Sequence, residues 1–204
     1  DFRVFQWSRA RSNAGESTLL RLAHQYYKLG NLDWLVEEIA QLALLYCSDK
    51  AFVDRFDRVD ENWYQWGGIG YFLYEYEHHL ANGRPVELTW ETLAKKSKQQ
   101  SIEHVLPQNP TDPDWLDQFS PEQRQRWTHD IGNLSLTYDN SRLGNLRFDL
   151  KKGAPGQEGT YANSPLFIER QLAVHQQWTE QEIIARRNEI KAWAVVRWNL
   201  GFTP

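Results

Sequence analysis

Apolar side chains recur three and four apart over two stretches near the start of the chain, the spacing of a helix face. Leu19, Leu22, Tyr26 and Leu29 predict a helix opened by Ser17 or Thr18 and closed at Gly30. Leu35, Ile39, Leu42, Leu45 and Tyr46 predict a second, opened by Asn31 or Asp33. After a Trp-rich turn over residues 60–70, the aromatic run Tyr71–Leu80 reads as a buried helix that Asn82-Gly83 terminates. Beyond Leu88 the pattern shortens. Thr89-Trp90-Glu91 is strand-compatible, and Lys95, Lys96 and Lys98 mark an exposed link. Ile102–Leu106 is a short strand stopped by Pro107, and Leu134–Thr137 is another. A proline-punctuated loop between them holds one helical turn near Asp114–Gln118 and a helix from Pro121 to about His129. Asn140 or Ser141 can cap a helix through about Lys151. A Gly/Pro loop over 153–159 precedes helical segments at 165–177 and 180–198, the last opened by a Thr179/Glu182 capping box.

These elements predict a mainly α fold with a small ββα core embedded between helical segments. They divide the chain into a helical region (1–95), the core (96–155) and C-terminal helices packing on it (156–204). At 204 residues, with 41% apolar positions and 10 Trp, the chain has ample material for a packed interior. No run approaches the roughly 18 apolar residues of a membrane span. One cysteine, Cys47, excludes an internal disulfide and a multi-cysteine zinc site. The net charge of -4 argues against a general nucleic-acid coat protein, though charge near one site matters more than the sum. The chain lacks Met and opens within an apolar pattern, so it reads as a C-terminal fragment of something longer.

The chemistry concentrates between residues 102 and 152. Ile102-Glu103-His104-Val105-Leu106-Pro107-Gln108 is followed by Ile131-Gly132-Asn133-Leu134-Ser135-Leu136, then by Asn140, Asn145, Phe148 and Lys151-Lys152. Hydrolysing a phosphodiester needs a base to deprotonate water and a hard divalent cation to stabilise the departing oxyanion. His104 can be that base. Glu103 and an amide oxygen can hold Mg²⁺ or Mn²⁺, and Asn133 can pin the loop that carries the histidine. Asn140, at the start of its helix, is the expected third ligand. Asn145 would lie about 7.5 Å further along that helix, as a phosphate contact or rival ligand. Arg142, Arg147, Lys151 and Lys152 are candidates for DNA phosphate contacts, and His129 can border the site. Each residue also has an ordinary role: Asn at turns and caps, Lys and Arg in solvent. The set carries the reading, whereas a Glu-His pair alone would not.

As a set these motifs resemble the C-terminal HNH (ββα-metal) nuclease domain of GmrSD-type restriction proteins. The resemblance includes Tyr71–Glu77, Asn140-Ser141-Arg142-Leu143-Gly144-Asn145 and a closing pattern of Trp178, Ile183, Arg186 or Arg187, and Trp198. It covers residues 65–204 well and the first sixty only by helical character. It implies metal-dependent cleavage or nicking of DNA, often modified phage DNA, in a prokaryotic cytoplasm. It also implies a partner half, an N-terminal ParB-like nucleotide-binding region. In one departure, the third position, often His in HNH enzymes, is Asn140 or Asn145 here. The competing reading is a DNA- or protein-binding module that keeps the fold without catalysis.

Overall fold

The computed structural model describes residues 2–8, 13, 15–58, 61–138 and 140–199. By Cα proximity the chain divides into two compact units, residues 1–58 with 192–204, and residues 59–191. The first unit contains α1 (Glu16–Leu29), α2 (Leu32–Tyr46) and α3 (Asp49–Asp54). Gly30 closes α1 in a left-handed conformation, φ 62°. The Asn31 side chain caps α2 by accepting from the Trp34 amide. Gly15, not Ser17 or Thr18, precedes α1. The apolar stripe is also less covered than its spacing suggests. Leu22, Ala40 and Ala43 are buried, whereas Leu29 and Leu45 are largely exposed.

The second unit holds α4 (Ile69–Ala81), α5 (Trp90–Leu93), α6 (Lys98–Ser101), β1 (Ile102–His104), α7 (Pro113–Gln118), α8 (Pro121–Trp127), β2 (Leu134–Leu136), α9 (Asn140–Leu143), α10 (Phe148–Lys152), α11 (Phe167–Leu172) and α12 (Glu180–Arg197) through residue 191. The fold is mainly α with one small antiparallel sheet among the described residues, in which Ile102 pairs with Leu136, Glu103 with Ser135 and His104 with Leu134. Two strands cannot stand alone in water. Here α4 and α11 pack against β2. Val105, Leu106, Trp115, Trp127, Phe148, Tyr161, Trp178 and Ile183 build a shared core. The buried Glu77 of α4 accepts hydrogen bonds from the Phe167 and Ile168 amides (2.8 and 2.7 Å), satisfying two donors at the start of α11.

Two local expectations change. Residues 89–91 are not strand: the Thr89 hydroxyl accepts from the Thr92 amide and starts α5. The single helix expected from Asn140 to Lys151 is two short ones, because Gly144 takes φ 37° after α9 and Arg147, in extended backbone, starts α10. The contact division also runs differently from the three segments read from sequence, grouping residues 192–204 with the N-terminal helices. Among the described residues no helix is long and apolar enough to cross a membrane.

Candidate active site

β1 delivers Glu103 and His104 as consecutive residues, whose side chains leave a strand on opposite faces. Both are buried. The Glu103 Oε1 accepts from Lys151 Nζ at 2.6 Å and from the Tyr161 hydroxyl at 3.1 Å. Lys151 also donates to the backbone carbonyls of His104 (2.9 Å) and Val105 (3.0 Å). The three donors of its ammonium thus all bind the end of β1. Burial pushes Glu103 up from the carboxylate range, opposed by Lys151 and Tyr161. The same burial pushes Lys151 down, opposed by Glu103. The expectation that Lys151 meets DNA phosphate fails, since its side chain is fully enclosed.

His104 closes the strand. Its Nε2 lies 3.1 Å from His129 Nδ1, and its Nδ1 lies 3.3 Å from Gln108 Nε2. The Tyr64 ring sits 4.7 Å from the His104 ring and stacks on His129 at 5.8 Å. Burial, then the neighbouring His129 and Lys151, lowers the His104 pKa to about 3, so the imidazole is neutral at neutral pH.

Asn133 is buried where β2 begins. Its Oδ1 accepts from the Leu106 amide (2.7 Å) and Trp178 Nε1 (3.0 Å). Its Nδ2 donates to the Leu106 and Thr128 carbonyls (3.0 and 2.9 Å). With its hydrogen-bonding capacity so engaged, this side chain holds the loop after His104. Gly132 lets α12 approach: a Cβ there would stand 2.2 Å from the Ile183 carbonyl oxygen. Arg186 of α12 then donates to the Gly132 and Leu134 carbonyls, both at 2.8 Å.

A cleft of about 160 Å³ opens beside these residues, lined by Glu103, His104, Gln108, Asn140, Gly144 and Asn145 among others. Asn140 Nδ2 donates to the Gln99 and Ile102 carbonyls (3.0 and 3.1 Å). Its Oδ1 is buried and accepts no hydrogen bond among the described residues. Asn145 reaches the same cleft because the chain bends at Gly144, so the separation expected from a continuous helix does not hold. Of the basic candidates, Arg147 is paired with Asp114 and Asp149. Lys152 donates to the His175 carbonyl at 2.8 Å, and Arg142 lines a separate cavity of about 550 Å³. That cavity also carries the buried Glu169, whose pKa burial raises to about 7 while hydrogen bonds from Ser164 and Thr137 oppose the rise.

Sequence reasoning gave no role to Tyr161 or Tyr64 and left Gln108 as motif only. Tyr161 stands 58 residues from its Glu103 partner, and no local pattern joins them. Among the described residues, no three His, Cys, Asp or Glu side chains gather as metal ligands.

In this mainly α domain a buried acid and a neutral histidine stand together at one strand end, beside an asparagine-pinned loop. Residues 47–193 match the family of GmrSD restriction endonucleases, C-terminal domain, and the chain belongs to that family. Its function is therefore related to restriction endonucleases, with DNA as the substrate class. No curated protein and no solved structure matches the chain.

Proposed function

We propose that this domain is an HNH-type endonuclease that nicks DNA with a single divalent cation, acting as a cytoplasmic defence nuclease against phage DNA. The observation that carries the reading is the cleft that Glu103, His104 and Asn140 line together, with the Asn140 Oδ1 buried and accepting no hydrogen bond among the described residues. A buried acceptor without a donor is costly, and a cation relieves that cost. The donor set fits Mg²⁺ or Mn²⁺: a carboxylate and an amide oxygen, hard ligands without thiolate. Two protein ligands suffice for an ion that keeps several waters and takes phosphate oxygens from its substrate. Glu103 and Asn140 would hold it, and when bound it supplies Lewis-acid stabilisation of the departing oxyanion.

The chain's own residues supply the rest. His104, neutral and facing the cleft, takes the proton of the attacking water. Lys151 and Tyr161 hold Glu103 in place and favour its ionised form. Asn133 fixes the loop that orients His104, with Asn145 at the cleft rim for the DNA backbone. Arg142, which lines the separate cavity, Arg147 and Lys152 are the remaining basic candidates for DNA phosphate.

Supercoiled plasmid incubated with Mg²⁺ or Mn²⁺ tests the reading. The wild-type chain should convert it to open circles, EDTA should stop the reaction, and His104→Ala should lower the rate by ~10²–10⁴. Wild-type nicking by a folded His104→Ala chain would remove His104 from the mechanism.

A further inference from the structure

The cavity of about 550 Å³ has no part in the reaction proposed above. It lies across α9 from the cleft: Asn140 lines the cleft, whereas Arg142 and Leu143 line the cavity. Its buried residues present acceptors. Ser164 and Thr137 spend their hydroxyl protons on the Glu169 carboxylate, and Thr160 spends its own on the Gln157 carbonyl at 2.7 Å. A hydroxyl whose proton is committed can only accept from a ligand.

Glu169 itself is 5% exposed and is held by hydroxyls, with no ion pair to a Lys, Arg or His among the described residues. Burial raises its pKa to about 7, and the charges that bear on it, Glu103 and Glu77, are acids that push the same way. A buried carboxylate without a countercharge is costly, and a cationic ligand relieves that cost.

The remaining lining sorts the ligands. Two exposed carboxylates, Glu87 and Glu158, face one guanidinium, Arg142, whose Nη1 would stand 3.1 Å from a Cβ at Gly159. Three carboxylates against one cation repel phosphate and other anions. A neutral polyol would supply donors but leave Glu169 without its countercharge. A single metal ion is disfavoured because, among the described residues, no three acidic, His or Cys side chains converge on one point. Separated carboxylates with Tyr138 and Leu143 in the same lining suit a cation with several charges on an aliphatic chain.

From this lining we propose that the cavity binds an aliphatic polyamine, one ammonium meeting Glu169 inside and the others meeting Glu87 and Glu158 at the exposed edge. The ammonium donors also meet the spent hydroxyls of Ser164, Thr137 and Thr160. The site is separate from the nuclease cleft, and the proposal does not rest on the nuclease reading.

Calorimetry and ¹H–¹⁵N spectra of the 204-residue chain with spermidine test it, without DNA, at pH 8 where Glu169 is ionised. Spermidine should bind one site and shift the amides of residues 137–143 and 158–165. Glu169→Gln should weaken it by about thirtyfold or more, the scale for losing one partner of a buried charge pair. Glu87→Gln/Glu158→Gln, which alters only exposed carboxylates, should weaken it by about fivefold and keeps the test open if Glu169→Gln unfolds. Glu37→Gln, on α2, should change nothing. Cadaverine should bind the same residues, whereas 1,5-pentanediol, its uncharged counterpart, should not. Absent binding, or equal binding by Glu169→Gln and wild type, overturns the proposal. So does equal occupation of the cavity by 1,5-pentanediol or Mg²⁺ alone, or tighter binding of L-lysine, which adds a carboxylate to the cadaverine chain.

Discussion

Replacing Lys151 by Met keeps most of the side chain's volume and removes its charge. The ammonium binds three oxygens, Glu103 Oε1 and the carbonyls of His104 and Val105, at 2.6 to 3.0 Å, and its side chain is 0% exposed. In Lys151→Met the carboxylate keeps Tyr161 but loses its countercharge. Breaking a buried pair in this way costs about 3–5 kcal/mol, much of it the penalty of stranding the remaining charge. With a urea slope of about 2 kcal/mol per molar, the unfolding midpoint should fall by about 2 M. Burial already raises the Glu103 pKa above its ordinary 4.5, and Lys151 opposes that rise, so its removal lifts the value further. The native state then holds a proton that the unfolded chain releases. Destabilisation is therefore greatest at neutral pH and fades as pH falls through the raised value toward 4.5. The double variant Glu103→Gln/Lys151→Met, with no charge left to strand, should recover most of the loss. Urea titrations in EDTA at pH 5 and pH 7.5 decide the matter. A Lys151→Met loss below about 1 kcal/mol, or one equal at both pH values, would refute the buried charge pair.

Asn140→Ala should raise the Mg²⁺ or Mn²⁺ concentration needed for half-maximal nicking, whereas Asn145→Ala should weaken DNA binding and leave that requirement unchanged. Metal titrations of the two variants check the assignment, and the reverse pattern would exchange their roles. Glu169, raised to about 7, favours folding when protonated, so its contribution is full below 4.5 and lost as pH rises through about 7. Glu169→Gln should accordingly flatten the pH dependence of stability between those values and stabilise the chain at pH 8, as thermal melts across the range would show.

The helices and short strands of the 59–191 unit were legible because their signals are local. Prolines start α7 and α8, Asn82 ends α4, and a Thr/Glu pair opens α12. The break after α9 was not read because Gly144 lies inside a segment with a plausible cap and helical length. The Glu103-His104 pair and its downstream asparagines stood out from motif spacing. What spacing could not convey is which polar atoms are already engaged. Asn133 and Asn140 look alike in sequence, yet one is saturated by four hydrogen bonds and the other keeps a bare oxygen. Lys151 and Lys152 are neighbours in a basic pair, but helical geometry sends only Lys151 inward to Glu103. Tyr161 entered the site from a segment with no chemical signature of its own.

The anchoring of the His104 loop has a consequence for the order in which the molecule becomes competent. Strand β1 and its histidine lie near the middle of the chain, whereas the indole that fixes Asn133 and the guanidinium that ties down Gly132 and Leu134 belong to Trp178 and Arg186. A ribosome translating this sequence makes Glu103, His104 and Asn133 before it makes Trp178 and Arg186. While synthesis proceeds from residue 161 toward residue 186, Lys151 and Tyr161 are already available to Glu103, yet the Asn133 loop still lacks its indole and guanidinium partners. On the proposed reading, the His104 loop gains its last anchors only when α12 is in place.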